Sequence, residues 1–511
     1  MHKDITPVIN NYKQIHDSIH GYINLSNIAV MIIDTAEFQR MRRLKQLGSC
    51  CYIFHNAVHT RHEHSIGTYH IAGKLLDCIA KNTCISEMHN YLADIPELKY
   101  YLAAAYGDNK YILDDYIIEL VKIGALCHDL GHGPFSHVFD DFFLPSVKKV
   151  LTPNDSHEVR SCIILEKIIK ANKKLNKYIS DNELAFIKNI INPSNAHSGF
   201  IYQIVSNNLN GLDVDKFDYI VRDSYVTGIQ SSFNCQRLVE HVRVIDNIIC
   251  YPEQSVGDII ELYTTRYKLH KNVYSHKSVI AAQFMIIELF KYLDKIINIC
   301  DSVNNMDLFC KLTDDYILNC STFFLQYNAL LNKNQLVALS KADNIIKKLN
   351  SHDIYKHVAT YVGKSYIDIT RKDITVCAKS DILIYRNIIG FVSGNKNNPL
   401  NNIYVYNTKN LIKNNKLQSY NFIINNHYHV IPTNHQEYVT MIFYKHKKYK
   451  IVDLIKSEFN TFIATHNSGI IHNTINNITN TNTNTNTNTN TNNQPYPENY
   501  DLLLSECITD N

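Results

Sequence analysis

Ala125-Leu126-Cys127-His128-Asp129-Leu130-Gly131-His132-Gly133-Pro134-Phe135-Ser136-His137 is the stretch on which the reading of this chain turns. Just before it, Ile117, Leu120 and Val121 recur at helical spacing. A helix is therefore predicted to deliver an imidazole and a carboxylate side by side, and to break at Gly131 and Pro134. One His and one Asp are both good ligands for a borderline metal ion. Two more histidines, His132 and His137, follow at once as candidate proton donors. A metal-assisted phosphate hydrolase needs that combination.

Two further stretches supply ligand types. Arg61-His62-Glu63-His64-Ser65-Ile66-Gly67 leads into a helix marked by Ala72, Leu75, Leu76 and Ile79. Gly211-Leu212-Asp213-Val214-Asp215-Lys216-Phe217-Asp218-Tyr219 adds carboxylates. Together the three stretches offer two imidazoles and two carboxylates, a set that suits Fe, Mn, Zn or Mg and leaves positions open for water and substrate. One stretch alone says little, because among 25 histidines a His-Asp dipeptide arises by chance. In an acidic stretch such as the third, most carboxylates are solvated or salt-bridged.

The ordered series resembles the HD-domain phosphohydrolases, and within them the SAM-and-HD-domain deoxynucleoside triphosphate triphosphohydrolases. The resemblance runs through Asp17-Ser18-Ile19-His20-Gly21, Ile32-Ile33-Asp34-Thr35, Lys45-Gln46-Leu47-Gly48, the three stretches above, Arg222-Asp223 and Thr265-Arg266. It is strong from about Lys13 to Phe290 and fainter to about Lys450, where Asn398-Pro399-Leu400 resembles the family's C-terminal lobe. No SAM domain is expected, since residue 1 falls just ahead of the HD core.

By position, the resemblance implies that His64, His128, Asp129 and Asp215 are the metal ligands. It makes His132, His137, Asp140 and His157 the acid–base group, with Asp140 fixing a tautomer. Arg61, Lys216 and Tyr219 would hold phosphates, and Arg266 and Tyr274 would also face substrate. Gln46 and Asp223 would read the sugar 3′-hydroxyl, and Leu47 would crowd the 2′ position. The implied reaction is cleavage of a dNTP, in dGTPase-like fashion, to deoxynucleoside and triphosphate. The residues alone leave open which histidine is the general acid.

Relatives of this type assemble as nucleotide-activated tetramers, so a homo-oligomer, dimer or tetramer, is expected. Lys13, Asp34, Gln39 and Arg42 match positions that bind an activating guanine nucleotide, GTP or dGTP. Arg237, Asp258, His276 and Lys277 fall near a neighbouring activator site, but the basic pair expected before Val256-Gly257 is replaced by Pro252-Glu253-Gln254. Guanine nucleotide is therefore expected to act less strongly here, or through one site.

The fold class expected is mainly α, a helical HD core over residues 1–300 with a smaller mixed α/β C-terminal lobe over 301–465. Ile403 and Val405 alternate with Tyr404 and Tyr406, and Tyr438 to Tyr444 is a β-rich run. A disordered tail is expected over 466–511, where Thr479 to Asn492 alternates Thr and Asn. A net charge of +3, from 51 basic and 48 acidic residues, does not predict nucleic-acid binding. Lys445-His446-Lys447-Lys448-Tyr449-Lys450 could touch nucleic acid or an effector phosphate, but is more simply a charged hairpin end. No run approaches the roughly 18 apolar residues of a membrane helix, and the start is polar rather than signal-like. The 13 cysteines are odd in number and scattered, which suits a reduced intracellular protein of cytoplasm or nucleus. Two other readings stay open at this point. One is an HD hydrolase of a nucleoside monophosphate, cyclic nucleotide or alarmone; the other is a catalytically silent HD scaffold that binds nucleotide or nucleic acid.

Overall fold

Two helices frame the molecule. Helix α1 (Arg61–Asn82) starts at Thr60, whose backbone N–H donates to the Glu63 carboxylate at 2.7 Å. Helix α2 (Asp115–Cys127) is capped by Asp114, which accepts from the N–H groups of Tyr116 and Ile117 at 3.1 and 2.9 Å. The apolar residues read at helical spacing, Ala72, Leu75, Leu76 and Ile79 on α1 and Ile117, Leu120 and Val121 on α2, are all buried. Nearly every side chain of α2 is inside, as expected of a helix that is apolar all round. The described residues are 6–391, 397–407, 409, 418–421 and 434–478 of this computed structural model.

The helix before the decisive stretch stops earlier than predicted. Its last residue is Cys127, with His128 as C-cap, and the chain then passes through tight turns in which Leu130 and His132 donate to the Cys127 and Asp129 carbonyls. Three-residue turns of this kind need neither glycine nor proline, so Gly131 was a poor marker of the end.

Further helices close around this pair: α3 (His157–Ala171), α4 (Asp181–Ile191), α5 (Val214–Thr227), α6 (Val256–Leu269) and α7 (Lys277–Ile297). Helices α8 (Asp314–Gln326) and α9 (Lys333–Asn350) pack on α7, and their apolar side chains continue the same core. Among the described residues the protein is mainly α, with three small sheets. Strands β1 (Asn11–Asp17) and β2 (Gly21–Ser26) form an antiparallel hairpin. Strands β3 (Arg243–Ile245), β4 (Ile248–Pro252), β7 (Tyr404–Tyr406) and β8 (Ser419–Asn421) lie in that order, with β4 and β7 parallel. Strands β5 (Lys356–Gly363), β9 (Gln436–Tyr444) and β6 (Ile382–Gly390) form an antiparallel sheet with β9 central. A second apolar cluster, including Ile369, Ile382, Ile442 and Ile455, joins that sheet to the last helix, α10 (Tyr449–Ile478). That helix runs past residue 466, where Ile471 and Ile475 keep helical spacing. The Thr479–Asn492 tract lies outside the described residues. Among the described residues no helix is long and apolar enough to cross a membrane.

Candidate active site

The four expected metal ligands come from the start of α1, the end of α2 and the start of α5. His64 Nδ1 donates to Asp218 Oδ2 at 2.7 Å, because a carboxylate can only accept. His128 Nδ1 likewise donates to the Ala125 carbonyl at 2.7 Å. Each ring therefore turns Nε2 to the centre, and both Nε2 atoms are buried with no hydrogen-bond partner. Carboxylate oxygens meet them there. Asp215 Oδ1 lies 3.1 Å from His64 Nε2 and 3.5 Å from His128 Nε2, and the Asp129 oxygens lie 3.5 and 3.4 Å from the same atoms.

These residues fit a divalent ion. With metal–ligand bonds of about 2.1 Å, neighbouring ligand atoms lie about 3.0 Å apart in an octahedron and about 3.4 Å apart in a tetrahedron. Two buried imidazole nitrogens without a hydrogen-bond partner and two carboxylates, at 3.1–3.5 Å from one another, match the edges of such a polyhedron. Burial alone would lower the His64 pKa, but the Asp215 and Asp218 carboxylates outweigh it and push it up to about 10. The carboxyl of Asp129 is held well below its ordinary range against the opposing effect of burial, by Arg61 and by the histidines around it. The Asp215 side chain is 31% exposed, against 4% for Asp129 and 0% for His64, so the centre opens to solvent on the Asp215 side.

Beside this centre lies the predicted acid–base group. His132 Nδ1 donates to Asp140 Oδ2 at 2.7 Å, which leaves Nε2 pointing to Asp129 Oδ1 at 3.3 Å. The His157 ring stacks on His132 with centroids 3.9 Å apart, and His137 meets His132 edge-on at 5.1 Å. Burial and then the His132 charge lower the His157 pKa, so that ring is neutral at pH 7. His137 is exposed and pairs with Asp141 at 3.0 Å.

Comparison with known proteins decides the family. A family model described as HD domain matches residues 61–220. The chain is 42% identical over 404 residues to the HD domain-containing protein L394 of Acanthamoeba polyphaga mimivirus, covering 76% of this chain and 84% of that protein. It is 31% identical over 468 residues to the deoxynucleoside triphosphate triphosphohydrolase SAMHD1 homolog of Dictyostelium discoideum, covering 89% and 81%. The chain belongs to the SAMHD1-type HD-domain family. With the Homo sapiens deoxynucleoside triphosphate triphosphohydrolase SAMHD1 it shares 32% identity over 399 residues, which span 71% of this chain and 58% of that protein.

Around the HD centre the expected substrate residues are placed unevenly. Arg61 is buried and already engaged, donating to Asp129 Oδ2 at 2.5 Å and to Ser136 Oγ at 2.8 Å. Lys216 pairs with Asp213 at 3.0 Å. Burial raises the Tyr219 phenol, while the Arg266 and Lys216 charges oppose that shift from nearby. Arg266 also donates to the Gly390 carbonyl at the end of β6. Tyr274 donates to Asp223 Oδ2 at 2.6 Å; Gln46 is buried and Leu47 half-buried. In the expected effector regions Lys13, Asp34 and Arg42 are exposed, and Arg42 Nε donates to Gln39 Oε1 at 2.7 Å. Arg237 pairs with Asp258 at 3.4 Å, His276 caps α7, and Lys277 lines a small cavity with Lys356, His357 and Lys447.

Sequence reasoning missed the layer behind the ligands. Asp218, left as a solvated or salt-bridged acid, is fully buried and takes His64, His20 Nε2 at 2.6 Å and Arg222 Nε at 2.8 Å. Arg222 in turn reaches Asp17 at 3.1 Å. Arg160 donates to Asp140 and to the Gly131 carbonyl. Asp17, His20 and Arg222 all lay in the stretches that carried the resemblance, but nothing in their spacing assigned them a partner.

Proposed function

We propose that this protein is a metal-dependent dNTP triphosphohydrolase that cleaves dNTPs, dGTP among them, to deoxynucleoside and triphosphate. The observation that carries the reading is the convergence of two partnerless imidazole nitrogens and two carboxylates beside a carboxylate-held histidine. The names of the relatives support dNTP as the substrate class. His64, His128, Asp129 and Asp215 would hold the divalent ion, which when bound supplies Lewis-acid polarisation and a lowered pKa for water. The leaving 5′ oxygen needs a proton. His132 is the best-placed donor: Asp140 holds its Nδ1, Arg160 holds Asp140, and Nε2 faces the centre. His157 gives that ring a stacking face, and Asp140 fixes its orientation. Arg61, Lys216 and Arg266 offset phosphate charge, with Arg61 exchanging Asp129 for a phosphoryl oxygen. Gln46 and Asp223 bind the sugar, and Leu47 crowds the 2′ position.

Guanine nucleotide activation through Lys13, Asp34, Gln39 and Arg42, in a homo-oligomer, forms part of the proposal. The second site, where Arg237 is drawn to Asp258, takes a lesser part or none. Product analysis tests the reaction. Purified protein is incubated with each dNTP and NTP in Mn²⁺, Fe²⁺ and Mg²⁺, and the products are resolved by ion exchange. Deoxynucleoside plus intact triphosphate, lost in His128→Ala/Asp129→Ala, is the expected result. Single phosphate or pyrophosphate would move the protein to another HD hydrolase class, and absence of turnover with retained nucleotide binding would make it a regulatory scaffold.

A further inference from the structure

His59 was assigned no part by its sequence, yet it stands at the inner wall of the site. The short bridge between Lys45 and Thr60 brings two segments together, and the Gln46 N–H donates to the His59 carbonyl at 3.0 Å. The His59 side chain is 7% exposed, and its Nε2 lies 2.7 Å from Asp223 Oδ1. A carboxylate can only accept here, so Nε2 carries the hydrogen. Tyr274 donates to the other oxygen at 2.6 Å, so Asp223 is fixed from both sides. The Thr227 hydroxyl bonds the Asp223 carbonyl at 2.6 Å and anchors its backbone.

Two atoms on this wall are left over. His59 Nδ1 is buried without a hydrogen-bond partner, and so is Gln46 Oε1. Buried polar atoms of this kind call for a partner, and a ligand can supply it. Gln46 Oε1 and the Asp223 carboxylate are acceptors beside His59, so this wall can take the hydrogen of a hydroxyl, and the Gln46 amide N–H can return one. Asp215, Tyr219 and Asp223 follow one another at four-residue intervals on α5, so the wall lies about 12 Å along the helix from the metal ligand. What such a wall selects is a hydroxyl acting as donor. A deoxynucleoside 5′-triphosphate has one free sugar hydroxyl, at the 3′ carbon.

We propose, resting on the dNTP reading above, that His59 is a specificity-determining residue for that hydroxyl. It is a positioning residue through Asp223, which its Nε2–H orients. The test compares 2′-deoxy with 2′,3′-dideoxynucleoside triphosphate of one base, by kcat/KM and by calorimetric binding of their non-hydrolysable α,β-imido analogues. Wild type should prefer the 3′-hydroxyl by about tenfold or more, since one charge-assisted hydrogen bond contributes roughly 1.5–3 kcal/mol. His59→Asn, whose amide is too short to reach Asp223, should bring the ratio to within about threefold of unity. His59→Gln, which returns an N–H at the reach of Nε2, should restore most of the preference. General damage to the fold would lower both nucleotides together and leave the ratio unmoved.

A full preference retained in a folded His59→Asn protein would overturn the inference while leaving the hydrolase reading intact. If that variant does not fold, Tyr274→Phe, which removes the other donor to Asp223, carries the same expectation. A preference that survives it overturns the fixed-carboxylate basis. Failure of wild type to bind or cleave either nucleotide would instead remove the dNTP reading, and this inference with it.

Discussion

Asp218 shows at the residue scale how a centre of this kind is held. The carboxylate fixes the His64 ring from behind, and Gly67, one turn along α1, leaves it room: a Cβ there would come within 1.9 Å of Asp218 Oδ1. Partners of metal-bound histidines set ring orientation, and their loss typically weakens metal binding 10–100-fold. Asp218→Asn should therefore raise the dissociation constant for Mn²⁺ by about 10–100-fold, measured by calorimetry. Gly67→Ala, which pushes the same carboxylate away, should act in the same direction. An unchanged affinity in Asp218→Asn would separate His64 from its support. Protonation offers a second check. With its pKa raised to about 10, His64 carries a proton at pH 7 in the metal-free protein, whereas a ligand imidazole must be neutral. Metal binding should thus release about one proton from this site, and affinity should rise with pH up to about 10. Calorimetry in buffers of different ionisation enthalpy measures that release directly. The proposed ligands were legible in the sequence because they lie in the stretches that carry the family resemblance. Asp218 and His59 were not, because their partners lie 154 and 164 residues away and meet them only in the folded chain.

At the scale of elements, the site is assembled by loops and irregular turns on rigid helices. Two segments of wider π-type turn, Val138–Phe143 and His270–Tyr274, carry Asp140 and Tyr274. Turns of that type are rare and gather at functional sites, and no residue pattern announces them. The loop between α2 and the first of these segments is held from outside. Phe135 and Ser136 adopt left-handed backbone angles (φ 58° and 56°), and the Phe135 N–H donates to Asp314 at 2.7 Å. The same carboxylate accepts from the Lys45 N–H at 3.0 Å, so one residue of α8 ties down both the loop and the Gln46 segment. An amide in its place would turn an N–H toward one of these donors. Asp314→Asn should lower stability by about 1–3 kcal/mol, seen as a fall in the melting temperature. Burial pushes the Asp314 pKa up to about 6. The folded protein then holds this proton more tightly than the unfolded chain, so stability from this group falls as pH rises from about 4 to about 6. Asp314→Asn should flatten that part of the stability–pH curve. Periodicity located α1 and α2 correctly because their buried faces are continuous. It misjudged the end of α2 because a tight turn leaves no signature of its own.

On the scale of the whole molecule, distant segments complete one another. β4 and β7 pair through Tyr251 and Val405 although they come from distant parts of the chain, and Arg266 reaches the end of β6. The two expected effector regions differ in kind. Arg42 is exposed and touches only Gln39 among the ion-pair and hydrogen-bond partners described, whereas Arg237 is drawn to Asp258. Arg42→Ala should raise the GTP concentration for half-activation by about tenfold or more, as loss of a charge-assisted contact implies, and Arg237→Ala should shift it less. A GTP titration of initial rate reads both, and a flat wild-type titration would remove the first site.

One contact has a further meaning. Arg61 sits on Asp129 at 2.5 Å, so the most deeply placed ligand carboxylate has a cation of the protein's own beside it. Asp218 is matched in the same way by Arg222, and Asp140 by Arg160. Uncompensated buried charge is what makes many metal proteins collapse when the ion is withdrawn. Here the guanidinium stands in as spare counter-charge, and the ion becomes a removable part rather than a keystone. Protein stripped with a chelator should stay folded by circular dichroism, lose hydrolysis, and recover it on return of Mn²⁺. Its inactive form is then a reservoir, refilled whenever metal is supplied.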